Sequence, residues 1–161
     1  MKITSVSLAA TDGSTVDPSA QPGRIVVYAY PRTGVPDVAN PDGWDAIPGA
    51  RGCTPQSCAF RDHYRELRSL GLNAIYGLST QSSAYQREAA ERLHLPFPLL
   101  SDEQLELTRA MNLPTFQVAE MTLLKRFTLI ITDGQIEHVF YPVFPPDRNA
   151  AEVIAWFTEH R

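Results

Sequence analysis

Apolar and polar positions alternate along the chain in patterns that predict both strands and helices. Residues 24–30 form an almost continuous apolar, β-branched and aromatic run, which predicts a strand buried on both faces of a sheet. Further on, residues 60–70 place apolar side chains at helical spacing. Gly71 follows this segment, and glycine is typical of helix ends, so the helix is predicted to end there.

The rest of the chain divides into shorter segments of the same two kinds. Strands are predicted at 73–79 and 96–102, helices at 83–93 (capped by Ser82 or Ser83), 103–111 and 150–160, and hairpins at 8–16 and 127–141. A strand–helix–strand unit followed by a hairpin and a helix is a thioredoxin-like arrangement. The predicted fold class is therefore α/β, a thioredoxin-like fold with a central mixed β-sheet flanked by helices. A single domain is expected to cover residues 1–161.

A long irregular loop separates the first strand of this unit from its helix. Residues 31–52 are rich in proline and glycine, and loops of this length in a compact domain are usually functional or disordered. Trp44 and Ile47 are large apolar residues within it, so we expect the loop to pack onto the domain.

Length and charge narrow the classes of function. A chain of 161 residues fits one domain. Lys and Arg total 14 against 18 Asp and Glu, a net charge of −4, which argues against a nucleic-acid or anionic-membrane binder because such partners require a basic surface. No apolar run approaches the ~18 residues of a membrane-spanning helix, and the N-terminus lacks a signal-peptide pattern. A cytoplasmic, thiol-reducing compartment is therefore expected.

The chain contains two cysteines, Cys53 and Cys58. Two cysteines exclude a disulfide framework and a zinc site of four cysteines. Neither His63 nor His138 stands at a convincing spacing for a metal site, and no metal or other cofactor is predicted. The two cysteines can still be a redox pair, a reactive thiol with a bystander, or two inert thiols.

Cys53 stands where a helix is predicted to begin, with Thr54 as the N-cap and Pro55 as the first helical residue. Unpaired backbone N–H groups and the positive end of the helix dipole lie at such a position. Both favour a thiolate over a thiol, and a thiolate can attack an electrophile. The alternative interpretation is a small buried residue near a helix start.

Cys58 follows five positions later on the same predicted helix. In a regular helix the two Cα atoms would lie roughly 8.6 Å apart, whereas a disulfide requires about 4.4–6.8 Å. The first turn must therefore unwind before the cysteines can bond. This behaviour is expected of a resolving cysteine, which acts only after its partner has been oxidised. The Cys-x-x-Cys motif of thioredoxins is absent from the sequence.

Residues 52–62, GCTPQSCAFRD, resemble the active-site segment of Q-type peroxiredoxins (the bacterioferritin-comigratory-protein type) of the redoxin family. In that family, Gly-Cys-Thr-x-x-x-Cys-x-x-Arg-Asp holds the peroxidatic and the resolving cysteine. Further similarities lie at 27–31, 76–80, 99–102 and 126–134, so that the resemblance covers roughly residues 8–157. The cysteine motif together with the late strand that begins at Arg126 is specific, whereas each of the other segments alone is weak.

The resemblance implies a thiol peroxidase that reduces hydrogen peroxide and organic hydroperoxides. Cys53 would attack the peroxide, and Cys58 would condense with the resulting sulfenic acid to form an intramolecular disulfide. Thioredoxin or a similar dithiol protein would reduce that disulfide. Arg126 would hold the peroxide and help to keep Cys53 ionised; otherwise it is an ordinary surface or edge-strand charge. An intramolecular resolver needs no partner subunit, so a monomer is expected, although a dimer is compatible with the same chemistry.

One segment departs from the family pattern. The family carries Pro-x-x-x-Thr/Ser-x-x-Cys before the catalytic cysteine, but Ala46 and Ala50 stand at those positions here. An insertion within residues 35–51 is inferred, and it could close over the site. Thr33 is then the candidate hydroxyl for Cys53 and the peroxide, with Thr54, or no hydroxyl, as alternatives. Pro31 would shield the thiolate from water.

Two other functions remain open at the level of sequence. The protein could be a thiol–disulfide oxidoreductase that does not use peroxide, or a redox-sensing protein of thioredoxin fold without efficient peroxidase turnover. Rapid oxidation by hydrogen peroxide, followed by turnover with a thioredoxin system, would distinguish the peroxidase from both.

Overall fold

The structure, a computed structural model, describes residues 1–34, 39–44 and 52–161. The sequence predictions that concern Ala46, Ile47 and Ala50, and most of the insertion inferred at 35–51, lie outside the described residues.

A mixed β-sheet forms the centre of the domain. Its strands are β1 (Leu8–Ala10), β2 (Thr15–Val16), β3 (Arg24–Ala29), β4 (Leu72–Ser79), β5 (Leu99–Ser101), β8 (Phe127–Thr132) and β9 (Gln135–Phe140); the separate hairpin consists of β6 (Thr115–Val118) and β7 (Met121–Leu124). Across the described part of the sheet the strand order is β2-β1-β5-β4-β3-β8-β9. Strands β3, β4 and β5 run parallel, and the other neighbours pair antiparallel.

The helices are α1 (Cys53–Asp62), α2 (Tyr64–Ser69), α3 (Ser83–Arg92), α4 (Glu106–Ala110) and α5 (Asn149–Glu159). Helices α1, α2 and α5 pack against one another. The predicted fold class, α/β with a central mixed β-sheet flanked by helices, is confirmed. No helix in the described residues is long and apolar enough to cross a membrane.

Strand β3 lies inside the sheet, between β4 and β8, and this position explains its continuous apolar run. It pairs in parallel with β4 and antiparallel with β8. Alternate side chains enter two different cores, because successive residues of a strand point to opposite faces. Ile25, Val27 and Ala29 belong to one cluster, whereas Val26 and Tyr28 belong to the cluster that contains the residues of α1 and α5. The predicted burial of this strand on both faces is confirmed.

The predicted helix at 53–70 is two helices, α1 and α2, separated at His63 (φ −101°, ψ 6°). The prediction of Thr54 as the N-cap and Pro55 as the first helical residue is wrong. Gly52 is the N-cap and Cys53 is the first helical residue, with Thr54 inside the first turn. Pro55 is still tolerated there, because N–H groups of the first turn have no intrahelical acceptor.

The β6–β7 hairpin has no counterpart in the sequence prediction. Its turn is formed by Ala119 and Glu120, both with positive φ (47° and 65°), although neither belongs to the Asn, Asp and Gly residues that mark such turns. Trp44 packs against this hairpin through Leu123 and Phe116 and is 5% exposed. The expectation that the long loop packs onto the domain is therefore confirmed at Trp44.

Candidate active site

Cys53 opens helix α1 and is nearly enclosed by the core. Only 4% of its surface is exposed, and it lies in the same apolar cluster as Tyr30 and Phe60. The helix begins at this residue because Gly52 takes the left-handed conformation (φ 101°), which glycine adopts without a clash from a Cβ. The predicted position of Cys53 at a helix start is confirmed. Backbone N–H groups and the helix dipole at this end favour a negatively charged sulfur.

Arg126 lies in the connection between β7 and β8, and its guanidinium reaches Cys53. Nη2 donates to Cys53 Sγ at 3.2 Å, although 73 residues separate the two along the chain. The arginine is itself buried, with 4% of its surface exposed. Because arginine keeps its charge at any physiological pH, a fixed positive charge lies against the sulfur. The structure thus brings together the two residues that the sequence marked as thiol and charge partner.

A buried chain of hydrogen bonds continues from Arg126 into helix α5. Arg126 Nη1 donates to Gln56 Oε1 at 2.5 Å, and Gln56 Nε2 donates to Asn149 Oδ1 at 3.1 Å. Thr128 Oγ1 donates to the same Asn149 oxygen at 2.6 Å. Gln56, Thr128 and Asn149 are each fully buried. The sequence predicted none of these three as site residues, although a polar residue inside an otherwise apolar strand, as Thr128 is in β8, is a signal for one of them.

Cys58 lies further along α1 and is partly exposed. No disulfide joins Cys53 and Cys58, both of which are described, and the helix runs without a break through both. Ser57 lies between the two cysteines in the chain, and its Oγ shares a hydrogen bond of 2.9 Å with Tyr28 Oη. The helix therefore has to open before the two sulfur atoms can meet, as the helical spacing predicted.

Thr33 and Pro31 follow strand β3 and are both buried. The hydrogen bonds of Thr33 go to Gln81: its backbone N–H and its hydroxyl both donate to Oε1, at 3.1 and 3.4 Å. Gln81 Nε2 donates in return to the Thr33 carbonyl at 3.3 Å. The described residues show no hydrogen bond between Thr33 and Cys53. A role of the Thr33 hydroxyl at the cysteine, and of Pro31 in shielding it, thus stay predictions.

Thr54, the alternative hydroxyl, is the second residue of α1 and is partly exposed. It adjoins Cys53 in the chain, and no hydrogen bond of its side chain to Cys53 is found within the part of the chain that the structure describes. Its role also stays a prediction.

Tyr28, in β3, and Tyr30, just after it, belong to the same apolar cluster as Cys53. Tyr28 stacks on Phe60 with ring centroids 4.6 Å apart. Burial raises the pKa of Tyr28 well above its usual value, and burial likewise raises the pKa of Tyr30, with the nearby Cys53 raising it further. Both phenols therefore stay protonated and neutral, so neither introduces a negative charge that would oppose ionisation of the sulfur.

Within the described ranges, no group of three or more His, Cys, Asp or Glu side chains is arranged to hold a metal ion. Fold and site together define a protein of thioredoxin-like fold in which an arginine holds a buried cysteine at a helix start. The Redoxin family model matches residues 1–154. The chain belongs to the Redoxin family, and its relatives place it among the peroxiredoxins of the Q or Bcp type.

Two curated relatives illustrate that placement. The chain is 31% identical over 159 residues to Peroxiredoxin Bcp of Escherichia coli (strain K12), an alignment that covers 96% of this chain and 91% of that protein. It is 31% identical over 145 residues to the chloroplastic Peroxiredoxin Q of Oryza sativa subsp. japonica, which covers 89% of this chain and 58% of the rice protein. The chain thus spans less than three fifths of the length of the rice relative.

Solved structures share the fold at lower sequence identity. Peroxidoxin BcpB from Mycobacterium tuberculosis superimposes with a TM-score of 0.80 at 24% identity, covering 100% of this chain and 96% of that one. Bacterioferritin comigratory protein of Xanthomonas campestris, whose structure was described together with its alkyl peroxide reduction activity, gives a TM-score of 0.76 at 22% identity, covering 96% and 91%. At this level of identity the likeness shows the fold.

Proposed function

We propose that this protein is a thiol peroxidase that reduces hydrogen peroxide and organic hydroperoxides. The contact between Arg126 Nη2 and Cys53 Sγ, 3.2 Å long and buried at the start of α1, is the observation that carries the proposal. Membership of the Redoxin family and the similarity to the E. coli protein named Peroxiredoxin Bcp support it.

In the first step, the Cys53 thiolate attacks the terminal oxygen of a hydroperoxide. A sulfur–oxygen bond forms and the oxygen–oxygen bond breaks, so that sulfur loses two electrons and becomes a sulfenic acid. The leaving alkoxide or hydroxide takes a proton and departs as alcohol or water. Arg126 presents a planar, permanently charged set of N–H donors at the sulfur. These donors favour the thiolate beforehand and stabilise negative charge on the peroxide oxygens as it develops.

In the second step, Cys58 resolves the oxidised Cys53. The Cys58 thiolate attacks the sulfenic sulfur, a sulfur–sulfur bond forms, and the sulfenic oxygen leaves as water after taking up a proton. Because both residues belong to one helix, α1 must unwind locally before this bond can form. The reaction needs no second subunit, and a monomer suffices.

A dithiol protein, thioredoxin or a similar reductant, then returns the enzyme to its starting state. One of its thiolates attacks the Cys53–Cys58 disulfide and its second thiol completes the exchange, so that the reductant leaves as a disulfide. A reducing compartment supplies such a partner, and the cytoplasm is our proposal for this chain; the rice relative is named as chloroplastic.

The enclosure of Cys53 distinguishes this proposal from a thiol–disulfide oxidoreductase. With 4% of its surface exposed, the residue can be reached by a molecule as small as a hydroperoxide. A protein disulfide is far larger, and exchange requires in-line approach of its sulfur to the thiolate. A redox sensor would bury its cysteine in the same way, so catalytic turnover is the property that separates a sensor from an enzyme.

Stopped-flow oxidation by hydrogen peroxide tests the proposal, with Cys53→Ser as the control. We expect the wild type to react orders of magnitude faster than an unperturbed cysteine, and the control to show no reaction at this site. One equivalent of peroxide should also produce an intramolecular Cys53–Cys58 disulfide, detected by mass spectrometry. A rate no better than that of an unperturbed thiol would overturn the peroxidase assignment.

A further inference from the structure

A chain of buried amides extends from the proposed reaction centre to a residue that lies outside it. Asn149, the first residue of α5, contacts Gln56 through its side-chain oxygen, and Gln56 contacts Arg126. Among the described residues, neither the Gln56 nor the Asn149 side chain makes a hydrogen bond to Cys53. Their influence on the sulfur would therefore act through the guanidinium of Arg126.

The direction of each amide in this chain follows from chemistry. A guanidinium has donors and no acceptor, so Gln56 must face Arg126 with its oxygen. The NH₂ group of Gln56 then faces Asn149, and Asn149 must accept that hydrogen bond with its side-chain oxygen. This order agrees with the observed contacts, in which Asn149 Oδ1 accepts from both Gln56 Nε2 and Thr128 Oγ1. The Asn149 oxygen thereby fixes which end of the Gln56 amide meets the arginine.

Loss of that oxygen would release the Gln56 amide. An amide without a partner on its NH₂ side can rotate by 180° and turn its donors toward a guanidinium that also only donates. Because the site is buried, such a mismatch costs more than it would in water. The Arg126 guanidinium would then lose one of the contacts that hold it at Cys53.

The hydrogen bond between Gln56 and Asn149 also affects the opening of α1. Gln56 lies between Cys53 and Cys58, on the segment that must unwind for the disulfide to form. Its partner Asn149 belongs to α5, which is anchored in the core by Ala150, Val153 and Phe157. The Gln56–Asn149 hydrogen bond therefore ties the segment that moves to a helix that is held.

We propose that Asn149 is a positioning residue that, through Gln56, keeps Arg126 at the Cys53 sulfur and holds the first turn of α1 closed. This inference rests on the proposed peroxidase function, because Arg126 is assigned its role at Cys53 there. Its test measures the alkylation of Cys53 and the opening of α1, and neither measurement needs peroxide.

Three variants of α5 separate positioning from general destabilisation. Asn149→Leu removes the acceptor while keeping a similar volume. Asn149→Asp keeps an acceptor for both donors, and it gives up no hydrogen bond on the other side, since Asn149 Nδ2 has no partner among the described residues. Val153→Ala weakens packing one helical turn further along α5, at a fully buried position, without touching the amide chain.

The first readout is the pH profile of Cys53 alkylation by iodoacetamide, measured in a Cys58→Ser background. Opening of the helix changes the height of the profile by changing access, whereas a displaced Arg126 changes its midpoint. We expect Asn149→Leu to move the midpoint upward by about half to one pH unit. Asn149→Asp adds a carboxyl at a buried position, so it is compared with the parent protein by hydrogen exchange and not by the midpoint. Val153→Ala should leave the midpoint unchanged.

The second readout is hydrogen exchange of the amides in the first turns of α1. Asn149→Leu loses one buried hydrogen bond of α1, whereas Val153→Ala keeps it. The α1 amides should therefore exchange about fivefold to tenfold faster in Asn149→Leu than in Val153→Ala. An unchanged midpoint in Asn149→Leu, or equal effects of Asn149→Leu and Val153→Ala, would overturn the role of Asn149. If the wild type fails to react rapidly with peroxide while these shifts are found, the proposed function is wrong and the positioning role stands.

Discussion

Gly52 lies directly against the ring of Pro146. A Cβ built on Gly52 would fall 2.6 Å from Pro146 Cγ, too short for real atoms, and 3.0 Å from its Cβ, which is an unusually tight contact. Gly52 is also the N-cap of α1, with φ at 101°. Two independent constraints, the backbone angle and the proline contact, therefore require glycine immediately before the candidate nucleophile.

Gly52→Ala should destabilise the fold and slow the oxidation of Cys53. The left-handed backbone alone costs about 1–2 kcal/mol for a residue with a Cβ, and the contact with Pro146 adds to that cost. Relief of the contact would displace the start of α1, and Cys53 with it. Urea unfolding measures the stability change, and single-turnover oxidation by peroxide measures the displacement.

Gly13→Ala is the matched control, because Gly13 also has a positive φ (89°) but nothing within 4 Å of a Cβ built on it. It should show the backbone cost without slowing Cys53. A double variant, Gly52→Ala with Pro146→Ala, should recover part of the lost stability, since contacting residues are energetically coupled. Equal effects of Gly52→Ala and Gly13→Ala would contradict a role for Pro146.

Arg126→Lys should lower the rate of Cys53 oxidation by about tenfold or more, and Arg126→Gln by about a hundredfold or more. Lysine keeps the charge but cannot contact Cys53 and Gln56 together with two ends of one planar group, as Arg126 does. Second-order rate constants with hydrogen peroxide measure the effect. Lys125→Gln, an exposed neighbour, controls for loss of charge; a similar loss in that variant would show that general electrostatics, not the contact, sets the rate.

Local signals explain why much of the fold could be predicted from the sequence. Strand β3 is apolar at nearly every position because both of its faces are buried, and Gly71 follows α2 because glycine accepts the conformation that ends a helix (φ 105°). The position of Cys53 at a helix start could also be inferred. Each of these features is encoded within a few residues of where it occurs.

Features that depend on distant residues could not be found in this way. The helix start predicted at Thr54 is wrong partly because Pro146, which leaves no room for a Cβ at Gly52, belongs to a remote segment. The partners of Gln56 come from the connection between β7 and β8 and from α5, so a glutamine in the cysteine motif carried no sign that it would be buried between Arg126 and Asn149.

Glu137 is expected to make folding stability depend on pH in the acid range. Burial pushes the pKa of Glu137 upward, but hydrogen bonds from Thr132 and Arg24 and the charge of Arg24 outweigh it, so the pKa lies below its ordinary value of 4.5. A lowered pKa in the folded state means stability that is fully present above pH 4.5 and is lost as the pH falls through the folded value.

Urea unfolding of the wild type and of Glu137→Gln between pH 7 and pH 3 checks this dependence. The variant should be less stable at neutral pH, by at most about 1 kcal/mol for an ion pair at the surface whose side chains are partly exposed, and the difference should shrink on acidification. Glu159→Gln, an exposed site at the end of α5, serves as the control. A difference between Glu137→Gln and wild type that stays constant with pH would rule out ionisation of Glu137 as its cause.

Cys58→Ser should leave the first oxidation of Cys53 intact and block the second step. Because Cys58 lies further along α1 and is partly exposed, serine at this position disturbs the fold little. After one equivalent of peroxide, Cys53 should accumulate as sulfenic acid, trapped by dimedone and detected by mass spectrometry, whereas the wild type should form the intramolecular disulfide.

Turnover of Cys58→Ser with thioredoxin should fall by at least about tenfold, since the sulfenic acid has no internal thiol to condense with. Ser57→Ala, which removes the bond to Tyr28 beside Cys58 but keeps both cysteines, is the matched control and should still form the disulfide. Normal thioredoxin-dependent turnover of Cys58→Ser would mean that another thiol resolves Cys53.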